Sequence, residues 1–212
     1  MEELFLCNSI SFLDILHPSD LIISTSKVTS ITGPSGSGKS TLLYFLNGTK
    51  SPSSGDIFYK GHNILNIDIV LHRRKVLLVE QKPVLFPGSV QDNLIIGCEI
   101  QKKAIPSKQQ LQQYLDEFKL HVALDGPMSS LSGGESQRIC IIRCLLLEPE
   151  VLLLDEPTAS LDEVTANHVI EYIIDMHHQN SMKLIYSSHS KKLSSIADEH
   201  IDIQQKKILR LS

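Results

Sequence analysis

The sequence predicts an α/β protein with a mostly parallel sheet, an antiparallel β part at the N-terminus, and an α-helical lobe inserted before the last core strands. Three observations predict it. A β-branched stretch, Val28 to Thr32, runs directly into a glycine-rich loop and then into an apolar helical run. Val151 to Leu154 is continuously apolar and ends on two carboxylates, as a strand buried on both faces does. Ahead of the second of these strands, between Lys82 and Leu147, the pattern becomes helical in three segments.

In chain order, the loop Gly33 to Thr41 is followed by helical apolar positions at Leu42, Leu43, Phe45 and Leu46, which Asn47-Gly48 terminates. Ser51 to Gly55 has the composition of a turn. Asp56 to Lys60 then alternates before Gly61, as a hairpin strand would. Val76 to Val79 is a buried strand ending at Glu80-Gln81. Helices are expected over Val90 to Ile96, Lys108 to Phe118 and Gly134 to Leu147, the first two separated by a polar stretch containing Pro106-Ser107. After Val151 to Leu154 comes a helix from Asp162 to His178, whose Ala166, Val169, Ile170, Ile173 and Ile174 share one face. A strand at Lys183 to Ser187 and a closing hairpin over Ile201 to Leu211 complete the chain. The expected organisation is one domain, 1–212, with 1–81 and 148–212 as its core and 82–147 as a helical subdomain.

Composition narrows the function. The chain has 212 residues, 42% hydrophobic and 21% charged, enough for one self-sufficient core. Its 24 acids outweigh its 20 bases, for a net charge of −4, so no overall basic surface favours nucleic acid. No apolar run approaches the ~18 residues of a membrane span; Ile139 to Leu147 is short and carries Arg143. The acidic start, Met1-Glu2-Glu3, is unlike a secretory signal, and a cytoplasmic location is expected. Cys7, Cys98, Cys140 and Cys144 lack paired CxxC spacing and read as reduced, packed thiols.

Gly33-Pro34-Ser35-Gly36-Ser37-Gly38-Lys39-Ser40 fits the G-x-x-x-x-G-K-[ST] phosphate-binding loop, with the required strand before it and helix after it. Glycines let the backbone curl so that successive N–H groups face a phosphate, and the helix adds its positive N-terminal dipole. Lys39 is expected to bridge the β- and γ-phosphates of ATP, Ser40 to ligate Mg²⁺, and Thr41 to reach the α-phosphate. Asp155 and Glu156 end an apolar strand, at the edge of an α/β sheet where ligands bind. Asp155 is suited to Mg²⁺ and Glu156 to polarising the attacking water.

Leu131-Ser132-Gly133-Gly134-Glu135, followed by Gln137-Arg138, separates this chain from other phosphate-loop proteins. Here the sequence resembles the ATP-binding cassette (ABC) ATPases, whose signature is usually written L-S-G-G-Q, and the resemblance covers essentially the whole chain. It implies a P-loop NTPase core of the RecA-like kind. It also implies a homodimer in which Ser132, Gly133 and Gly134 of one copy cover the γ-phosphate bound by the other. Ser132-x-x-Glu135 is at the same time a capping box for its own helix. Glutamate replaces the usual glutamine at 135 and adds negative charge near that phosphate. By the same resemblance Gln81 contacts Mg²⁺ and the attacking water, Ser160-Leu161-Asp162 lies at the dimer interface, and His189 touches the γ-phosphate. Phe12 is the candidate to stack on adenine, with Phe5 as its competitor.

The stretch from Gln81 through Val84-Leu85-Phe86-Pro87 to Leu94 looks like that of exporter-type cassettes and of small stand-alone subunits associated with bacterial iron export. The resemblance implies that this region grips a separate membrane permease, with the cassette peripheral on the cytoplasmic face of the membrane. Two other readings remain at this point: a soluble cassette ATPase acting on nucleic acid or ribosomes, and a cassette that binds ATP without turnover.

Overall fold

The computed structural model describes residues 2–26, 28–180 and 182–211. β1 (Glu3–Phe12) and β2 (Leu16–Ser24) form an antiparallel pair. Their register slips between Cys7 and Ile10, where Ser9 takes a positive φ of 48° and donates its N–H to Asp20 Oδ1. β3 (Thr29–Thr32) leads through the glycine loop into α1 (Lys39–Asn47), which buries Leu42, Leu43, Phe45 and Leu46 completely and stops at the left-handed Gly48. Burial of that order stabilises by about 1.5–3 kcal/mol per side chain. β4 (Ser54–Tyr59) and the two-residue β5 (His62–Asn63) extend the antiparallel sheet, whose order is β2-β1-β4-β5.

α2 (Ile69–Lys75), capped by the Asp68 carboxylate, delivers the chain to β6 (Val76–Val79). Three helices follow: α3 (Val90–Gln101), α4 (Lys108–Glu117) and α5 (Gly133–Leu145). α3 runs five residues beyond the sequence expectation of Ile96. Gly97 lets it do so while Leu147 packs close, for a Cβ there would lie 2.9 Å from Leu147 Cδ1. Lys102 then ends it in the left-handed conformation. β7 (Val151–Leu154), α6 (Glu163–Gln179), β8 (Lys183–Ser187), the short α7 (Lys191–Ser194), β9 (Glu199–Gln204) and β10 (Lys207–Leu211) complete the fold.

The larger sheet has the order β10-β9-β3-β8-β7-β6, parallel throughout except for β10 at its edge. Both of its faces are covered. Leu152, Leu154, Leu184 and Tyr186 point into one core with α5, α6 and the lobe residues Leu111, Leu115 and Phe118. Val151, Leu153, Ile185 and Ile31 point into a second core with α1 and the antiparallel sheet. Period-two alternation with apolar residues on both faces is what makes β7 read as an unbroken hydrophobic run.

Glu150, one residue before β7, ties the sheets together. It accepts from Tyr59 Oη at 2.9 Å and pairs with Lys60 Nζ and Lys75 Nζ, the latter at 3.0 Å. Partial burial pushes its carboxyl upward, but the bonds from Lys60, Lys75 and Tyr59 outweigh this and hold it down at about 2. Among the described residues no helix is long and apolar enough to cross a membrane.

The sheet order places four neighbouring parallel strands with their C-terminal ends side by side. β3 ends in the glycine loop, β8 leads to His189, β7 to Asp155-Glu156, and β6 to Gln81. Residues 150 positions apart in sequence thereby meet along one sheet edge.

Candidate active site

The loop after β3 closes on itself because its glycines accept conformations and approaches that other residues refuse. Gly33 has φ 142°, and a Cβ there would fall 2.5 Å from the Ile203 carbonyl oxygen and 2.7 Å from Ser37 Oγ. Gly38, at φ 108°, lies against Leu16, whose side chain would meet an added Cβ at 3.0 Å. Gly38 is also the N-cap of α1 and brings no side-chain acceptor to its first turn. The helix start is therefore left for an external anion, a fit that the buried and unpartnered Ser37 Oγ reinforces. Lys39 is only 4% exposed and folds back over the loop, donating to the Gly33 and Pro34 carbonyls at 3.1 and 3.2 Å. Pro34, Ser35 and Gly36 form the exposed rim, Ser40 is half-buried, and Thr41 is buried in α1.

Ser187, the last residue of β8, organises the two carboxylates. Its hydroxyl donates to Asp155 Oδ1 at 2.8 Å and accepts the Glu156 N–H at 2.8 Å. Glu156 has φ 48°, an uncommon conformation for a residue with a side chain, so the chain turns sharply off the end of β7. Its Oε1 lies 2.7 Å from His189 Nε2 and 3.5 Å from Lys39 Nζ, and its Oε2 accepts from Gln81 Nε2 at 2.7 Å. Lys39 Nζ and His189 Nε2 are themselves 3.4 Å apart. A cation, an imidazole, a carboxamide and a carboxylate from four adjacent strands thus converge beside a phosphate-shaped loop. The Ser40 hydroxyl, the Asp155 carboxylate and the Gln81 amide oxygen are hard donors of the kind Mg²⁺ takes.

Ser132, Gly133 and Gly134 sit at the start of α5, and the hydrogen bonds of Ser132 go to Glu135 rather than to the Lys39 cluster. The two glycines have different surroundings. A Cβ on Gly133 meets nothing within 4 Å, whereas on Gly134 it would lie 2.8 Å from Leu161 Cδ2 and 2.9 Å from the Ser160 carbonyl oxygen. Asp162 caps α6 through the Val164 and Thr165 amides. Phe12 ends β1 half-buried, edge-on to Phe45 with centroids 5.4 Å apart, and Lys50 Nζ lies 5.9 Å from its ring. Phe5, by contrast, is fully buried against Tyr59.

Two contributions escape sequence reasoning: that of Ser187, and the contact made by Gln137, which the sequence offered only as part of its motif. Ser187 carries one weak signal, a polar residue closing an apolar strand two positions before His189. Gln137 is buried in α5 and donates to the Glu80 carbonyl at 3.1 Å, joining the Ser132 helix to the residue beside Gln81. Nearby, Val84, Leu85 and Phe86 are exposed, and neighbouring side chains bond to Val84 and Phe86. Asn93 bonds both backbone groups of Phe86 at 2.9 Å, and Arg143 stacks on the Phe86 ring at 5.3 Å while donating to the Val84 carbonyl at 2.8 Å. A cleft of about 300 Å³ adjoins this patch, lined in part by Arg73, Leu77, Glu80, Val84, Cys140 and Arg143.

Known proteins resemble this chain in sequence and in fold. The family model described as ABC transporter matches residues 16–159. Protein STAR1 of rice (Oryza sativa subsp. japonica) is 39% identical over 87% of this chain, which spans 54% of that protein's length. The probable iron export ATP-binding protein FetA of Escherichia coli K12 is 35% identical over 90% of this chain and 84% of its own. In fold the chain is similar to the ATP-binding cassette MJ0796, solved as a dimer bound to ADP and Pi, with TM-score 0.87 at 21% identity over 98% of this chain and 99% of that one. On the family model and the relatives together, the chain belongs to the ABC transporter family, as an ATP-binding cassette ATPase.

Proposed function

We propose that this chain hydrolyses ATP to drive a separate membrane permease, pairing with a second copy so that each glycine loop is covered by the partner's Ser132 helix. The observation that carries the reading is the convergence of Lys39, Gln81 and His189 on the Glu156 carboxylate, beside a helix start with no side-chain cap. Lys39 and the loop amides hold the phosphates, and Phe12 is the residue offered to adenine. Glu156 takes the proton of the attacking water, while Gln81 and His189 orient it and the terminal phosphate. Ser40, Asp155 and the Gln81 oxygen would hold Mg²⁺, which supplies neutralisation of phosphate charge. Val84, Leu85 and Phe86 form the apolar surface that meets the permease, on the cytoplasmic face of the membrane.

The cargo is proposed to be a metal ion, iron by preference, exported. The similarity to FetA, a probable iron export protein, and the resemblance of the Gln81 to Leu94 stretch support this. Purified chain should release phosphate from Mg-ATP and lose that activity on Lys39→Ala. Co-expressed with a candidate multi-span permease, it should co-purify from membranes, and metal uptake into inside-out vesicles should require ATP. Failure to co-purify with any membrane protein, in a chain that still releases phosphate, would sink the transport reading while leaving the ATPase intact.

A further inference from the structure

α5 opens on a box closed by a charge. The Ser132 N–H and Oγ both donate to Glu135 Oε2, at 2.8 and 2.7 Å, and the Glu135 N–H returns to Ser132 Oγ at 3.3 Å. The same chain builds this box with a neutral side chain at α4. There the Ser107 N–H and Oγ donate to Gln110 Oε1 at 2.9 and 3.1 Å, and the Gln110 N–H returns at 3.3 Å. Glutamine therefore suffices for the cap, and the carboxylate differs chiefly by gripping the hydroxyl harder, 2.7 against 3.1 Å.

A serine hydroxyl has one proton to give. At Ser132 it points to Glu135, and a phosphate oxygen, which can only accept, must take it away. The carboxylate also places negative charge at the helix start, where an anion would otherwise gain from free amides. Bonds from the Ser132 hydroxyl and amide hold the Glu135 carboxyl below its ordinary range, so the charge persists at neutral pH. The face is open to such an anion, since nothing lies within 4 Å of a Cβ on Gly133, while Gly134 is backed by Ser160 and Leu161.

We propose that Glu135 competes with the terminal phosphate for the Ser132 hydroxyl and the α5 start, an autoinhibitory contact that raises the ATP concentration at which two copies close. The proposal rests on the reading that Ser132 faces nucleotide held by a second copy. Closure then requires the hydroxyl to swing from Glu135 to phosphate, and the strength of the internal bond sets a threshold against closing at low ATP.

The test uses Glu156→Gln as parent, so that bound ATP is retained, and measures dimer fraction against ATP concentration by light scattering, at low and high salt. Adding Glu135→Gln keeps the box, as Gln110 does, but should lower the ATP midpoint by about fivefold, the gap between a charged and a neutral hydrogen bond. The gain should shrink at high salt, which a purely structural cap would not produce. Adding Glu135→Ala should also lower the midpoint, with helix content checked by circular dichroism. A midpoint unmoved or raised by Glu135→Gln, in a parent that pairs with ATP and stops pairing on Ser132→Ala, overturns the competitor alone. A parent that never pairs, or one indifferent to Ser132→Ala, overturns the reading beneath it.

Discussion

Gly133 and Gly134 are neighbours in the first turn of α5, yet adding one methyl to each should have opposite consequences. Helical glycine costs about 0.5–1 kcal/mol relative to alanine, so either replacement begins with a gain of that size. At Gly133 nothing opposes it, and Gly133→Ala should leave the monomer as stable as before or slightly more so. At Gly134 the methyl meets Leu161 Cδ2 at 2.8 Å and the Ser160 carbonyl oxygen at 2.9 Å. The leucine can turn aside but the backbone oxygen cannot do so cheaply, and such overpacking costs about 1–3 kcal/mol. Taking the middle of each range, the net for Gly134→Ala is a loss of about 1 kcal/mol, or about 2–4 °C in Tm for a chain of this size. Urea and thermal unfolding of the two variants measure this. With ATP the order should reverse in informativeness: Gly133→Ala, harmless to the single chain, should impair ATP-driven pairing because only a second molecule can reach that face. Equal stability of the two variants, or a destabilised Gly133→Ala, would refute the packing argument.

Other outcomes follow from the same geometry. Glu156→Gln should cut phosphate release by roughly 10²- to 10⁴-fold while ATP is still bound, as measured by single-turnover kinetics. Ser187→Ala leaves Asp155 without its bond and the Glu156 N–H without an acceptor; it should cost about 1–3 kcal/mol in denaturant unfolding and slow turnover, whereas Ser187→Thr should recover part of both. Glu150 has a folded value of about 2, below its ordinary 4.5. Its contribution to stability is therefore complete above the unfolded value and is lost as pH falls from there toward 2. Glu150→Gln should flatten that acid limb in unfolding measured against pH, and an unchanged limb would remove the Lys60–Glu150–Lys75 link from the account.

The parallel strands were legible because burial on both faces writes itself as unbroken apolar runs. Val76 to Val79, Val151 to Leu154 and Lys183 to Ser187 coincide with β6, β7 and β8. Helix starts were legible where a cap residue preceded them, as at Ser107, Ser132 and Asp162. β1 and β2 were expected only as an antiparallel part without bounds, and the slip at Ser9 explains why. One extra residue reverses which side faces the core, so the alternation a sequence reader counts is broken midway. α2 escaped because it is short, ends in His72-Arg73-Arg74-Lys75 and exposes Val70 and Leu71. In the site, motif residues were legible because each answers a chemical need at a fixed spacing. Ser187 was not, since its role exists only once β7 and β8 lie side by side.

Complementation between two inactive chains tests the central claim most directly. Ser132→Arg keeps an intact loop and Lys39→Ala keeps an intact Ser132 helix, so each alone should release no phosphate. Mixed in equal amounts they should recover activity, up to about a quarter of the unmodified rate, since random pairing makes half the dimers mixed and each then has one whole site of two. No recovery in a mixture shown to contain mixed dimers would contradict an active site shared between copies.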